Sequence, residues 1–256
     1  MEIKFIGTGS GKTSLKRYHS SFIISSGKYN LLVDAGDGIS LALLHQKILF
    51  NSINGILLSH FHPDHCSGLP SLIVQMKMNE RENPLDIFCD ENQTEFLKEL
   101  IYHSYLFEDN LGFNLNYKSF VQKKFFEANE ELSITALQNS HLDKNLRQDK
   151  SKRLSFSCSS FLFSIKGKSI FFTGDIGEQT DLFLFEGKKI DIMISEITHI
   201  TVDELLEAFK RLNPTRLFIT HLSDEDEHKV TELSYELPTE DRRKIVMAFD
   251  GLNVKI

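Results

Sequence analysis

Leu57-Leu58-Ser59-His60-Phe61-His62-Pro63-Asp64-His65 is the stretch on which the reading of this chain turns. An apolar segment, Gly55-Ile56-Leu57-Leu58-Ser59, runs straight into four metal-competent side chains. Such a run reads as a strand that delivers the chain to a tight loop gathering imidazoles and a carboxylate. Borderline divalent ions such as zinc prefer these donors, which also leave a position for water, as catalytic sites require. The bland alternative is a solvated loop with surface histidines, but scattered histidines rarely fall in this order after a strand. Alternate residues of an extended segment point to one side, so His60 and His62 can converge on one ion. Asp64 and His65 follow Pro63, where the chain must turn, and can serve a second ion a few ångströms away.

Two ions need more donors than this loop carries, so isolated His or Asp residues are expected at other strand ends. His141 follows the strand-like Leu132-Ser133-Ile134-Thr135-Ala136-Leu137. Asp175 follows Ile170-Phe171-Phe172-Thr173-Gly174, and His221 follows Arg216-Leu217-Phe218-Ile219-Thr220. Each stands just beyond a β-branched or aromatic run, where a sheet would present it at one edge. One lone His means little; three residues in the same context are harder to dismiss.

With these residues in view, the chain resembles the metallo-β-lactamase-fold hydrolases, whose motif is H-x-H-x-D-H followed by a distant His, an Asp and a final His. The resemblance covers nearly the whole length and is closest to the ribonuclease Z branch of phosphodiesterases. Supporting segments are Phe5-Ile6-Gly7-Thr8-Gly9-Ser10-Gly11, Leu32-Val33-Asp34-Ala35-Gly36-Asp37-Gly38 and Gly68-Leu69-Pro70. The resemblance implies an α/β fold, the four-layer αββα sandwich of two mixed β-sheets flanked by helices, as a single domain over 1–256. It also implies two divalent ions, zinc by default, with manganese or iron as alternatives. Carried over, His60, His62 and His141 hold one ion, Asp64, His65 and His221 hold the other, and Asp175 bridges. Asp64 is in addition a candidate for orienting the attacking water. Relatives of this branch imply a homodimer.

Ser195-Glu196-Ile197-Thr198-His199-Ile200-Thr201 resembles two short ribonuclease Z motifs fused with almost no spacer. By that analogy His199 is the general acid and Glu196 its orienting partner. The chemistry is sensible, because an alkoxide leaving phosphorus needs a proton and imidazole titrates near neutral pH. A structural reading coexists with it: Thr201 through Glu204 has the form of a capping box for a helix over 202–212.

Gly7-Thr8-Gly9-Ser10-Gly11-Lys12-Thr13 imitates a phosphate-binding loop. That loop requires a glycine where Ile6 stands, and a helix directly after it. In place of a helix, Leu15-Lys16-Arg17-Tyr18-His19-Ser20-Ser21-Phe22-Ile23-Ile24 leads into another strand. The glycines are better read as letting the backbone turn beside the metal loop.

At 256 residues, 41% of them hydrophobic, the chain can build one large domain with a substantial core. No apolar run approaches the ~20 residues that span a bilayer. The N-terminus already reads as a strand, so no secretory signal is visible. Cys66, Cys89 and Cys158 form neither a disulfide framework nor a metal-type pairing, and Cys66 reads as filler beside a full ligand set. A cytoplasmic setting is expected. Strand patterns fall near 2–6, 20–25, 30–34, 55–59, 132–137, 156–165, 169–173, 191–195, 216–220 and 244–249. Helix periods occupy about 39–49, 67–80, 91–103 and 202–212. Asp250-Gly251 reads as a two-residue hairpin turn joining Ile245–Phe249 to Leu252–Ile256.

The expected substrate is an anionic phosphodiester, either a small molecule or RNA, with no membrane partner. A formal charge of −7 and the lack of the long Gly/Pro-rich arm of ribonuclease Z enzymes count against RNA. The basic stretch Lys144, Arg147, Lys150, Lys152 and Arg153 after His141 counts the other way, as an anion collector or simply a solvated loop. Two alternatives stay open. One is a carboxyl-type hydrolase of lactones, thioesters or β-lactams, and the other a non-catalytic metal-binding sensor.

Overall fold

A computed structural model describes the backbone of residues 1–256 and all side chains except those of 233–236. The chain divides into two compact units, Met1–Val121 with Phe249–Ile256, and Gln122–Ala248. Each contains one seven-stranded sheet. Strands of the first unit are β1 (Glu2–Gly7), β2 (Ser21–Ser26), β3 (Tyr29–Val33), β4 (Gly55–Leu57), β5 (Leu85–Asp90) and β6 (Leu115–Phe120). The second holds β7 (Phe125–Asn129), β8 (Leu132–Gln138), β9 (Ser159–Ile165), β10 (Lys168–Phe172), β11 (Ile192–Ser195), β12 (Arg216–Ile219) and β13 (Ile245–Met247). The last strand, β14 (Asn253–Lys255), returns to the first sheet beside β1.

Both sheets are mixed, and the mixing follows one scheme. The first begins as an antiparallel meander, β1-β2-β3, and continues in parallel through β4, β5 and β6. The second repeats this, with β7 to β10 antiparallel and β10 to β13 parallel. Two antiparallel steps restore direction, so β1 runs with β3, and β8 runs with β10. The carboxyl ends of β1, β3 and β4 therefore lie along one edge of the first sheet. Those of β8, β10, β11 and β12 share one edge of the second. Open sheets with parallel strands bind ligands at that edge, because the crossover loops converge there.

Helices cover the sheets where the sequence supplies an apolar stripe. In the first unit these are α1 (Ile39–His45), α2 (Pro63–Cys66), α3 (Leu69–Met78) and α4 (Thr94–His103). Leu69, Leu72, Ile73 and Met76 of α3 recur at helical spacing and are fully buried against Leu32, Ile56 and Ile87 of the sheet. The second unit has α5 (Val202–Leu212), α6 (Asp226–Glu236) and α7 (Thr239–Arg242). Leu205, Ala208 and Phe209 of α5 pack with Met193 and Leu217. Two mixed sheets, each with flanking helices, match the αββα metallo-β-lactamase sandwich. No described helix is long and apolar enough to cross a membrane.

Helix α5 begins as the sequence predicts. Thr201 Oγ1 accepts from the Glu204 amide, and the Glu204 carboxylate accepts from the Thr201 amide at 2.7 Å. Thr201→Ala should cost about 1 kcal/mol. In a chain of this size that lowers the melting temperature by about 2–4 °C. Calorimetry checks this, and turnover should be unchanged.

The expected hairpin is not formed. Asp250-Gly251 does make a turn, but Ile245–Met247 pairs in parallel with β12 while Asn253–Lys255 pairs with β1. An Asp-Gly pair encodes the turn and not the partner of the strands that flank it. Here the Asp250 carboxylate accepts from Thr8 Oγ1 and the Tyr18 amide, both at 2.7 Å, which fastens the turn to β1 and its exit loop. Strands β5, β6 and β7 lie outside the predicted set. The edge strand β7 and the end of the first sheet, β6, carry exposed polar residues between their few buried ones, which blurs the period-two signal. After β1 no helix starts, consistent with Gly7-Thr8-Gly9-Ser10-Gly11-Lys12-Thr13 not being a nucleotide loop.

Candidate metal centre

In the first unit the donors follow the carboxyl ends of β3 and β4. Strand β4 ends at Leu57, and His60 and His62 stand in the extended exit, with ring centroids 4.6 Å apart. Pro63 then opens the four-residue helix α2, whose first turn carries Asp64 and His65. Proline suits that position because the first helical amide has no intrahelical partner anyway. Glycine lets the loops close up. A Cβ on Gly36 would lie 1.8 Å from the Asp64 carbonyl oxygen, so only glycine allows the β3 exit to pass beneath α2.

The sequence alone did not assign Asp34, the buried residue at the end of β3. Its carboxylate accepts from the Ser59 amide, Ser59 Oγ and His65 Nδ1, each at 2.8 Å. It does so from a left-handed backbone, φ 61°, an uncommon conformation for a residue with a side chain. With Nδ1 engaged, His65 turns Nε2 toward Asp64 Oδ2, 3.3 Å away. A carboxylate behind a ligating imidazole fixes its tautomer and raises its basicity. The signal for Asp34 was present: it ends an apolar strand, as Asp175 does.

The second unit brings its predicted residues together as well. His141 follows β8, Asp175 follows β10, Glu196 and His199 follow β11, and His221 follows β12. Asp175 Oδ2 lies 3.3 Å from His221 Nε2 and 3.7 Å from His141 Nε2. The rings of His141 and His199 are 4.8 Å apart, and those of His199 and His221 are 6.0 Å apart. Glu196 is buried. Its Oε1 accepts from His199 Nδ1 at 2.7 Å and from the Ile176 amide, and its Oε2 accepts from the amides of Thr198 and His199. The hydrogen bond to Glu196 holds the His199 pKa above its ordinary value, against the opposing effect of burial. Thr198 Oγ1 donates to the His221 carbonyl at 2.6 Å, which ties the β11 exit to the β12 exit.

The donors fit an ion. Two ligand atoms on one tetrahedral ion, each about 2.0–2.1 Å from it, stand about 3.3 Å apart. The pairs Asp64/His65 and Asp175/His221 have that separation, and His141/Asp175 is close to it. Ligand atoms of His60 and His62 also fall within 4.8 Å of one another. Each unit thus carries a cluster of candidate ligands of imidazole and carboxylate type. Cys66 is buried in the first unit's apolar core, and burial pushes its thiol up to about 12. The Lys144–Arg153 stretch is an exposed turn organised around Asp149, which accepts from the amides of Ser151, Arg153 and Leu154.

Fold and donor set define a class, the metallo-β-lactamase-fold metal-dependent hydrolases, and ribonuclease Z enzymes are among the proteins of this fold that the chain resembles. Within it, the chain belongs to the family described as "Anti-Pycsar protein Apyc1", which matches residues 1–236. It is similar to ribonuclease Z of Aeropyrum pernix, 31% identical over 116 residues, covering 45% of this chain and 36% of that one. Ribonuclease Z of Saccharolobus solfataricus is 36% identical over 97 residues, covering 38% and 33% respectively. The chain therefore spans about a third of the length of these relatives. Human tRNase Z, short form, shares the fold with a TM-score of 0.74 at 19% identity, covering 100% of this chain and 99% of that one.

Proposed function

We propose that the chain is a phosphodiesterase of ribonuclease Z type. In this reading 1–256 acts as one domain, and the two ligand clusters close around two divalent ions. His60, His62 and His141 hold one, Asp64, His65 and His221 hold the other, and Asp175 bridges. Neither cluster alone is a complete coordination set for two ions, which supports their joint use. Zinc suits donors that are all imidazole and carboxylate, with manganese or iron as substitutes. When bound, the ions supply a water acidic enough to ionise near neutral pH and a clamp on the phosphoryl oxygens.

The observation that carries the choice of phosphodiesters is the Glu196–His199 pair. Glu196 occupies Nδ1 of the imidazole, which leaves Nε2 as the atom that hands a proton to the leaving oxygen. Carbonyl hydrolysis of lactones or thioesters has no special need of such a pair. Asp64 is assigned to orient the attacking water as well as to bind metal. A net charge of −7 favours a small anionic diester over RNA, whose binding relies on many phosphate contacts. The exposed lysines and arginines of 144–153 give that small anion a local attraction. We place the protein in the cytoplasm as a homodimer, with its three cysteines as buried thiols. The family description names an anti-Pycsar protein.

Metal-loaded protein should hydrolyse bis-p-nitrophenyl phosphate and leave panels of lactones, thioesters and β-lactams intact. RNA, cyclic nucleotides and small diesters then rank the substrates. Turnover of lactones alone would sink the phosphodiesterase reading, and two bound metals with no turnover of anything would favour a sensor.

A further inference from the structure

Two buried side chains outside the proposed chemistry, Asn139 and Asp181, join the loops on which His141 and Asp175 stand. Those loops leave β8 and β10, which are separated by β9 and so share no ladder hydrogen bonds. The join is made by side chains instead. Asn139 Oδ1 accepts from the His141 amide at 3.2 Å, while its Nδ2 donates to the carbonyls of Asp175 at 2.9 Å and Thr173 at 3.3 Å. Asp181 accepts from Ser140 Oγ at 2.8 Å and the Ser140 amide at 3.1 Å on one side, and from the Gly177 amide at 2.9 Å on the other. The loops are pressed together at this point, since a Cβ on Gly177 would lie 2.4 Å from the Ser140 carbonyl oxygen.

We propose that Asp181, with Asn139, is a positioning residue that sets the separation of His141 and Asp175 for metal binding. The proposal rests on reading those two as ligands. The physical reason is that a ligand's reach depends on its backbone, and here both backbones hang on the same two side chains. A buried carboxylate held by several donors is a stiff strut, because each lost bond leaves a desolvated group behind. Asp181 also caps the short 3-10 turn Gln179–Phe183 together with Glu178. A residue that did nothing more than cap would alter the melting temperature and leave the metal's surroundings alone.

The test uses the full chain loaded with Co2+ and reads three quantities: the cobalt visible absorption band, the Co2+ affinity by chelator competition, and the melting temperature without metal. Asp181→Asn should weaken Co2+ binding by about tenfold to a hundredfold and change the cobalt band. Ser140→Ala, which removes one hydroxyl from the strut, should shift both in the same direction by less. A wild-type band and affinity in Asp181→Asn overturn the proposal, whatever happens to the melting temperature. If Asp181→Asn does not fold, Ser140→Ala decides by the same criterion. Unmodified chain that takes up no Co2+ would instead bring down the ligand reading itself, so the two failures are told apart.

Discussion

Asp175→Ala is expected to lower phosphodiester turnover by more than about 10⁴-fold, because without the ions the attacking water is no longer acidified towards neutrality. In the proposed centre Asp175 serves both ions. Its Oδ2 is the oxygen within reach of both His221 Nε2 and His141 Nε2. Removing it deprives both proposed ions of a shared donor. Metal content should fall from two equivalents to one or fewer, while circular dichroism retains the wild-type shape. Prolonged dialysis against a chelator should reproduce the loss in the unmodified chain, and added zinc should reverse it. An Asp175→Ala protein that keeps both metals and turns over within tenfold of wild type would remove Asp175 from the bridging role.

His199→Ala is the second large effect, and it should differ in kind. Both metals should stay bound, while kcat on diesters with alkoxide leaving groups falls by about 10²–10⁴-fold, the usual size of a general-acid contribution. Diesters of p-nitrophenol should be hurt less, since that leaving group departs as a stable anion and needs little help from a proton. A loss that is uniform across leaving groups would mean that His199 positions substrate and does not protonate it. Glu196→Gln should follow the same pattern more weakly, because the amide retains one acceptor oxygen where the carboxylate uses two. Unchanged turnover in His199→Ala would take the residue out of the mechanism.

The candidate ligands were legible in the linear chain because their signal is local. His60, His62, Asp64 and His65 lie in one short run, and His141, Asp175 and His221 each end a strand whose apolar or β-branched residues announce it. Glu196 and His199 were legible for the same reason, three residues apart in one turn. Element boundaries were less so. Helix α5 fell where its cap and period put it, whereas β6 and β7, rich in exposed polar residues, left too faint an alternation. The Asp250-Gly251 turn was correctly placed but wrongly partnered. Pairing depends on which strand edge lies nearby, and no local residue pattern records that.

Donor identity, the order of the strands' apolar runs and the punctuation between them were thus determined by the sequence alone, because each depends on neighbours a few positions away. Only the tertiary structure decided what orients those donors. Asp34 meets His65 across 31 positions, Asn139 meets the Asp175 carbonyl across 36, and Ser140 meets Asp181 across 41. Each is a hydrogen bond, buried in the first two cases and partly buried in the third, between segments that only the sheet brings together. A side chain's chemistry can be read from its letter, but the partner that fixes its direction depends on how distant stretches of backbone pack.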